Sequence, residues 1–356
     1  MISFIFRRCS AALAVLLSAV SISACTRAPE REPLSIHVAA MSGIGSLPGG
    51  GAAAPADAEQ ARAPLRLSWP GEAEALVVEE SHDSVVASRT RYVLTAMQAV
   101  EEGVTVLKAS NMSTEVFETG PEKSVDALVA EAVVAAMAQE PIGIRFGSDG
   151  AFRGVEGDVE RLLDITHGLL ADEPTISEFF GIMRKERVLE TQIERLYADI
   201  WNGLVGAWVG LDLSSSGERT IERRAQADGR TVPQLFTLRN LGPDAACDGC
   251  IRLQMVAETR GAEAAAAVSA ETRKLADGML RGAAARRPGL SEARRREALE
   301  VIASVDDVAR VTTVDLVTEA ATLLPHSMLM ETTTSVTVQG KRHSQARWLR
   351  LEFSWR

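Results

Sequence analysis

The sequence predicts an α+β fold in which an antiparallel sheet dominates and helices pack on one of its faces, and three observations carry that prediction. From residue 65 onward, strand-like and helix-like runs come in blocks, without the strict alternation of a parallel doubly wound sheet. Short turn signals such as Glu101-Glu102-Gly103, Ser148-Asp149-Gly150 and Gln339-Gly340-Lys341 separate neighbouring strand runs, which makes the pairs hairpins and therefore antiparallel. The clearest strands alternate apolar and polar side chains, so each has one wet face and one dry face that needs a cover.

The elements follow in order. Val77 to Ser81 and Val85 to Met97 are rich in β-branched residues, and Val104 to Phe117 answers them across a turn. Ser124 to Gln139 places Leu128, Ala132, Val133 and Ala136 at helical spacing, and Pro141 stops it. Ile142 to Phe146 and the return through Phe152 and Val155 form a second hairpin. Asp158 to Leu170 carries Val159, Leu162, Leu163 and Thr166 on one helical stripe. Thr175 and Glu178, just after Pro174, match a capping box; they predict one helix running from there to Trp201 or slightly beyond, ending among Gly203, Gly206 and Gly210. Strands resume with Thr231 to Leu238 and with Ile251, Leu253, Met255 and Ala257. Ala262 to Arg286 and Ser291 to Ser304 read as helices around Pro288-Gly289. Three strands close the chain: Val311 to Thr318, Met328 to Val338 and Arg347 to Trp355, the last with Leu349, Leu351, Phe353 and Trp355 on one face.

Composition narrows the function. Apolar residues make up 46% and charged residues 24%, a globular balance. A formal charge of −10 argues against a nucleic-acid partner, which demands a surplus of positive charge. One apolar run resembles a membrane segment, so a multi-span transporter is excluded. That run, Ala11 to Ile22, follows Arg7 and Arg8; as a helix it measures about 18 Å, too short for a hydrocarbon core of about 30 Å. It therefore reads as a removable export signal over residues 1–24. Residues 25–64 hold Pro29, Pro33, Pro48, Pro55, Pro64 and a Gly/Ala run without apolar periodicity, and they read as a flexible tether before an envelope domain spanning 65–356. The Gly43-x-Gly45 fragment within it lacks the flanking strand and helix of a phosphate loop.

The tetrad Ile22-Ser23-Ala24-Cys25 resembles the lipobox of bacterial lipoproteins. The resemblance implies cleavage before Cys25 and a diacylglycerol on its thiol, so that the membrane is the partner through lipid on Cys25. Thr26 stands where an Asp in enteric bacteria resembles an inner-membrane retention signal, which favours, in a Gram-negative host, an anchor in the outer membrane facing the periplasm. A plain secretory signal with Cys25 as a bystander is the alternative.

Chemistry is sparse. Cys247-Asp248-Gly249-Cys250 has a turn former at its centre; a disulfide suits an oxidising compartment. A redox pair would sit at a helix N-terminus, and zinc would need two more ligands that no His or Cys spacing supplies. No metal or cofactor is expected. Ser81-His82-Asp83 spells triad letters, but neighbouring strand side chains point apart, and a polar turn is the plainer reading. Arg286, Arg287, Arg294 and Arg295 form a basic island, either a solvated helix corner or a contact for anionic lipid headgroups. Tyr197, Trp201 and Trp208 read as core, with an apolar ligand pocket as the minor alternative.

Lipobox, tether, long antiparallel strands and one-sided helices together are similar in layout to half-barrel envelope lipoproteins of the lipoprotein-localisation type. That resemblance implies a curved sheet whose helical lid encloses a cavity for acyl chains. The expected function is a non-catalytic, lipid-anchored envelope protein binding an apolar ligand or another envelope protein between sheet and helices. The rival is a structural or interaction lipoprotein with a filled core and no ligand.

Overall fold

The structure is a computed structural model. It describes residues 65–70, 73–82, 86–99, 101–118, 125–185, 187–211, 217–227, 230–245, 247–266, 270, 305–338 and 340–356. The lipobox, the tether, the arginine island and most of the two helices expected between 262 and 304 lie outside these residues.

The strands are β1 (Glu74–His82), β2 (Val86–Gln98), β3 (Val104–Glu118), β4 (Gly143–Gly147), β5 (Phe152–Glu156), β6 (Glu218–Ala227), β7 (Arg230–Pro243), β8 (Cys250–Arg260), β9 (Val305–Glu319), β10 (Pro325–Val338) and β11 (Lys341–Trp355). The helices are α1 (Val125–Gln139), α2 (Val159–Leu169), α3 (Pro174–Lys185) and α4 (Val188–Trp201), the last continued by a wide π turn over Asn202–Gly206. Residues 262–266 are also helical.

Among the described residues, the eleven strands form one open antiparallel sheet in the order β5-β4-β3-β2-β1-β11-β10-β9-β8-β7-β6. The first and last strands are thus neighbours at its centre. One meander runs outward from β1 to β5, the chain crosses through α2 to α4, and a second meander returns from β6 to β11. Register sets the dry face: Val77 pairs with Phe353, Glu79 with Leu351 and Ser81 with Leu349, and Met330 lies opposite Leu349 on the other side. Buried side chains from all four helices, such as Val133, Leu163, Phe180 and Ile193, belong to the same core cluster as Val77, Met330, Leu349, Leu351 and Phe353.

Short-range signals place the turns well. Gly103, Gly150 and Gly340 all adopt positive φ where the turn residues were expected. Asp158 caps α2, its Oδ1 accepting from the Arg161 amide at 2.9 Å.

Four local expectations are corrected. The segment from 174 to 201 is two helices, not one: Arg187 takes a left-handed φ of 56° between α3 and α4. The apolar stripe Ile176, Phe180, Met183 would continue in phase at Arg187, Glu190 and Glu194, whereas the buried side chains restart at Leu189, Ile193 and Leu196. A straight helix would turn one stripe into water, so the chain breaks to re-phase it. Thr175 is not a cap, because Pro174 is already in the first turn and the Glu173 carbonyl accepts from the Ser177 amide at 2.9 Å. Ser81 and His82 are not turn residues but the end of β1; Ser81 is buried and bonded to Ser88 at 2.8 Å, while His82 stacks on Trp348 on the other face. Finally, β6 was not foreseen: it is an edge strand of mostly charged and polar residues, in which Ile221 packs against the core.

Candidate functional site

A cavity of about 290 Å³ lies between the exit of α4 and the strands β6 to β10. Its floor is ordered by register. Leu238, Met255, Val314 and Met330 are neighbours on successive strands, all at most 5% exposed, and all but Val314 line the cavity. Two residues along each strand, the next rung is Ile221, Phe236, Ala257 and Thr312. One rung further are Thr259 and Arg310, with Gln234 on β7 also lining the space. The floor therefore changes from apolar to polar over two steps, about 14 Å of strand. Thr312 and Thr332 extend the polar end with a hydroxyl pair at 3.1 Å.

The roof comes from the wide turn after α4. The Ala207 amide reaches back to the Asn202 carbonyl at 3.1 Å, an i to i+5 bond, and both residues line the cavity. Gly203 makes the close approach to the sheet: a Cβ there would lie 3.3 Å from both Met328 Sδ and Met330 Cε. Trp208 Nε1 donates to the Gly203 carbonyl at 2.9 Å and holds the turn in shape. At the polar end Asp199 Oδ2 stands 3.9 Å from Arg310 Nη2, with side chains 44% and 34% exposed. An ion pair this long and this wet contributes at most about 1 kcal/mol.

Tyr197, Trp201 and Trp208 do not line this space. All three are fully buried, Trp201 stacked on Phe146 at 4.2 Å and donating to the Gly150 carbonyl at 2.7 Å. Burial holds the Tyr92 and Tyr197 phenols well above the usual tyrosine range, and for Tyr92 the neighbouring Tyr197 adds to the effect. The Tyr197 hydroxyl has no hydrogen-bond partner among the described residues.

Cys247 and Cys250 are brought to disulfide distance, their Cα atoms 5.3 Å apart around the Asp248-Gly249 turn. Sequence spacing offered them no third ligand, but the sheet does: a ring nitrogen of His326 and the two sulfurs lie within 4.8 Å of one another. Arg286, Arg287, Arg294, Arg295 and Cys25 lie outside the described residues.

Gln234, Phe236, Leu238, Met255, Ala257, Thr312 and Met330 sit in strand runs that were recognised, and Asp199 in a recognised helical stretch, whereas Ile221 and Arg310 fall outside them; that these residues meet depends on strand order alone. No protein-family model matches the chain, and no curated protein matches it significantly. No helix among the described residues is long and apolar enough to cross a membrane.

Proposed function

We propose that this chain is a non-catalytic, lipid-anchored envelope protein that receives the acyl chain of an amphiphile between its sheet and its helices. In this reading the sheet is curved into a half-barrel and α1 to α4 cover its inner face. Eleven strands favour that shape, since open sheets beyond about ten strands curl or split. The Ile22-Ser23-Ala24-Cys25 tetrad supports the anchor on Cys25, and Thr26 after it supports an outer-membrane, periplasm-facing address.

The observation that carries the proposal is the graded floor of the cavity. Leu238, Met255 and Met330 suit hydrocarbon, and Arg310 at the other end suits a carboxylate or phosphate head. The volume, about 290 Å³, admits roughly ten methylene-sized groups at about 30 Å³ each.

Calorimetric titration of the full chain in non-ionic detergent with a saturated ten- to twelve-carbon fatty acid tests this. One site per chain and a negative heat-capacity change are expected. Arg310→Gln should weaken the fatty acid about tenfold and leave the corresponding fatty alcohol unaffected. Absence of saturable binding, together with lipid-free protein by native mass spectrometry, would favour the interaction module with a filled core.

A further inference from the structure

The far end of strands β8 to β10 holds a second constellation, distinct from the cavity. We propose that, once the Cys247–Cys250 pair is reduced, its two thiolates and His326 form a binding site for a thiophilic metal ion, with zinc as the fitting ion.

Three strands build it. Cys250 opens β8 and pairs with Glu319 at the end of β9. The Gly249 carbonyl accepts from the Ala320 amide at 3.1 Å, which pins the Cys-Asp-Gly-Cys turn to the β9 exit. His326 occupies the register shift between Pro325 and Ser327 at the start of β10, so it is freed from the regular ladder where the other two strands meet. Tetrahedral zinc, with bonds of about 2.3 Å to sulfur and about 2.0 Å to nitrogen, sets its ligands roughly 3.5–3.8 Å apart. The three ligand atoms already lie within 4.8 Å of one another, so opening the sulfur–sulfur bond and small side-chain adjustments suffice.

The outer shell is in place as well. His326 Nε2 stands 3.4 Å from Glu319 Oε1, and Thr322 Oγ1 donates to Glu319 Oε2 at 2.7 Å. A carboxylate that holds one ring nitrogen fixes the imidazole and leaves the other for the metal, the usual support of a histidine ligand. Water takes the fourth position. Cys247 and His326 are half-buried, which leaves the pair open to a reductant and to the ion.

A dithiol reductant delivers two electrons and two protons, breaking the Sγ–Sγ bond and closing its own disulfide. Zinc then displaces the two thiol protons into solvent.

The test uses the full chain, reduced and desalted without oxygen, titrated first with cobalt(II) and then with zinc. Expected are one cobalt per chain with a thiolate charge-transfer band, its displacement by zinc, and two protons released per zinc. Cys247→Ser should abolish the band, and His326→Ala should weaken zinc binding at least tenfold. The Cys247→Ser/Cys250→Ser double variant controls for Cys9 and Cys25. The oxidised chain should take up no metal, and zinc should raise the melting temperature of the reduced chain but not of the oxidised one. Uptake no greater than in the double variant, uptake indifferent to His326→Ala, or no thermal shift of the reduced chain would each overturn the proposal.

Discussion

Ala257 is the point at which the cavity can be filled from its own floor. It sits on the middle rung of the floor between Phe236 on β7 and Thr312 on β9, half-buried and facing the space. Ala257→Trp places an indole in a volume of about 290 Å³ and takes up roughly half the room for about ten methylenes. At about 0.8 kcal/mol per buried methylene, displacing about five of them removes about 4 kcal/mol of binding free energy. That is about a thousandfold in affinity. The assay is displacement of an environment-sensitive fluorescent fatty acid from the full chain, beside circular dichroism and a thermal melt. The indole enters existing space, so the melt should move little, and Ala257→Ser should bind as the parent does. Binding by Ala257→Trp within threefold of the parent, in a chain that melts normally, would refute the assignment of this cavity as the acyl site.

Other outcomes follow from the same structure. The chain has two tyrosines, both buried with phenols held above their ordinary value, so an ultraviolet titration should show no tyrosinate until the protein unfolds. Above pH of about 10 the unfolded chain sheds phenolic protons that the folded chain keeps, so stability should fall by up to about 2.7 kcal/mol per pH unit for the two groups, read from urea midpoints against pH. Tyrosinate absorbance rising near pH 10 in the folded chain would contradict their burial. Gly150→Ala should destabilise by about 2–4 kcal/mol in urea unfolding, since φ is +75° and the new Cβ would meet Val209 Cγ2 at 2.6 Å. Cys25→Ser should move the protein from the membrane to the soluble fraction after cell lysis; unchanged retention would contradict a lipid anchor.

Local chemistry was readable where neighbours in sequence are also neighbours in space. The hairpin turns at Gly103, Gly150 and Gly340 needed positive φ, and glycine follows from that alone. Alternation in Leu349, Leu351 and Phe353 revealed β11 because one face of a strand is dry. Helix α4 showed itself through Leu189, Ile193, Leu196 and Ile200. The break at Arg187 was legible only as a slip in the phase of that stripe, with no glycine or proline to mark it. Strand β6 was silent because an edge strand with wet surroundings has little apolar pattern to show.

By itself the sequence determined most of the segments, their periodicities, the dry face of the alternating strands and the motif around Cys25, all of which are properties of residues a few positions apart. Tertiary structure alone decided that β1 and β11 would be neighbours, that Arg310 would close the polar end of a hydrocarbon-lined floor, and that His326 would stand beside Cys247 and Cys250. Those meetings are set by the pairing order of a sheet assembled from two meanders. Pairing order arises from the burial of a shared core, a cooperative quantity that no short stretch of residues encodes.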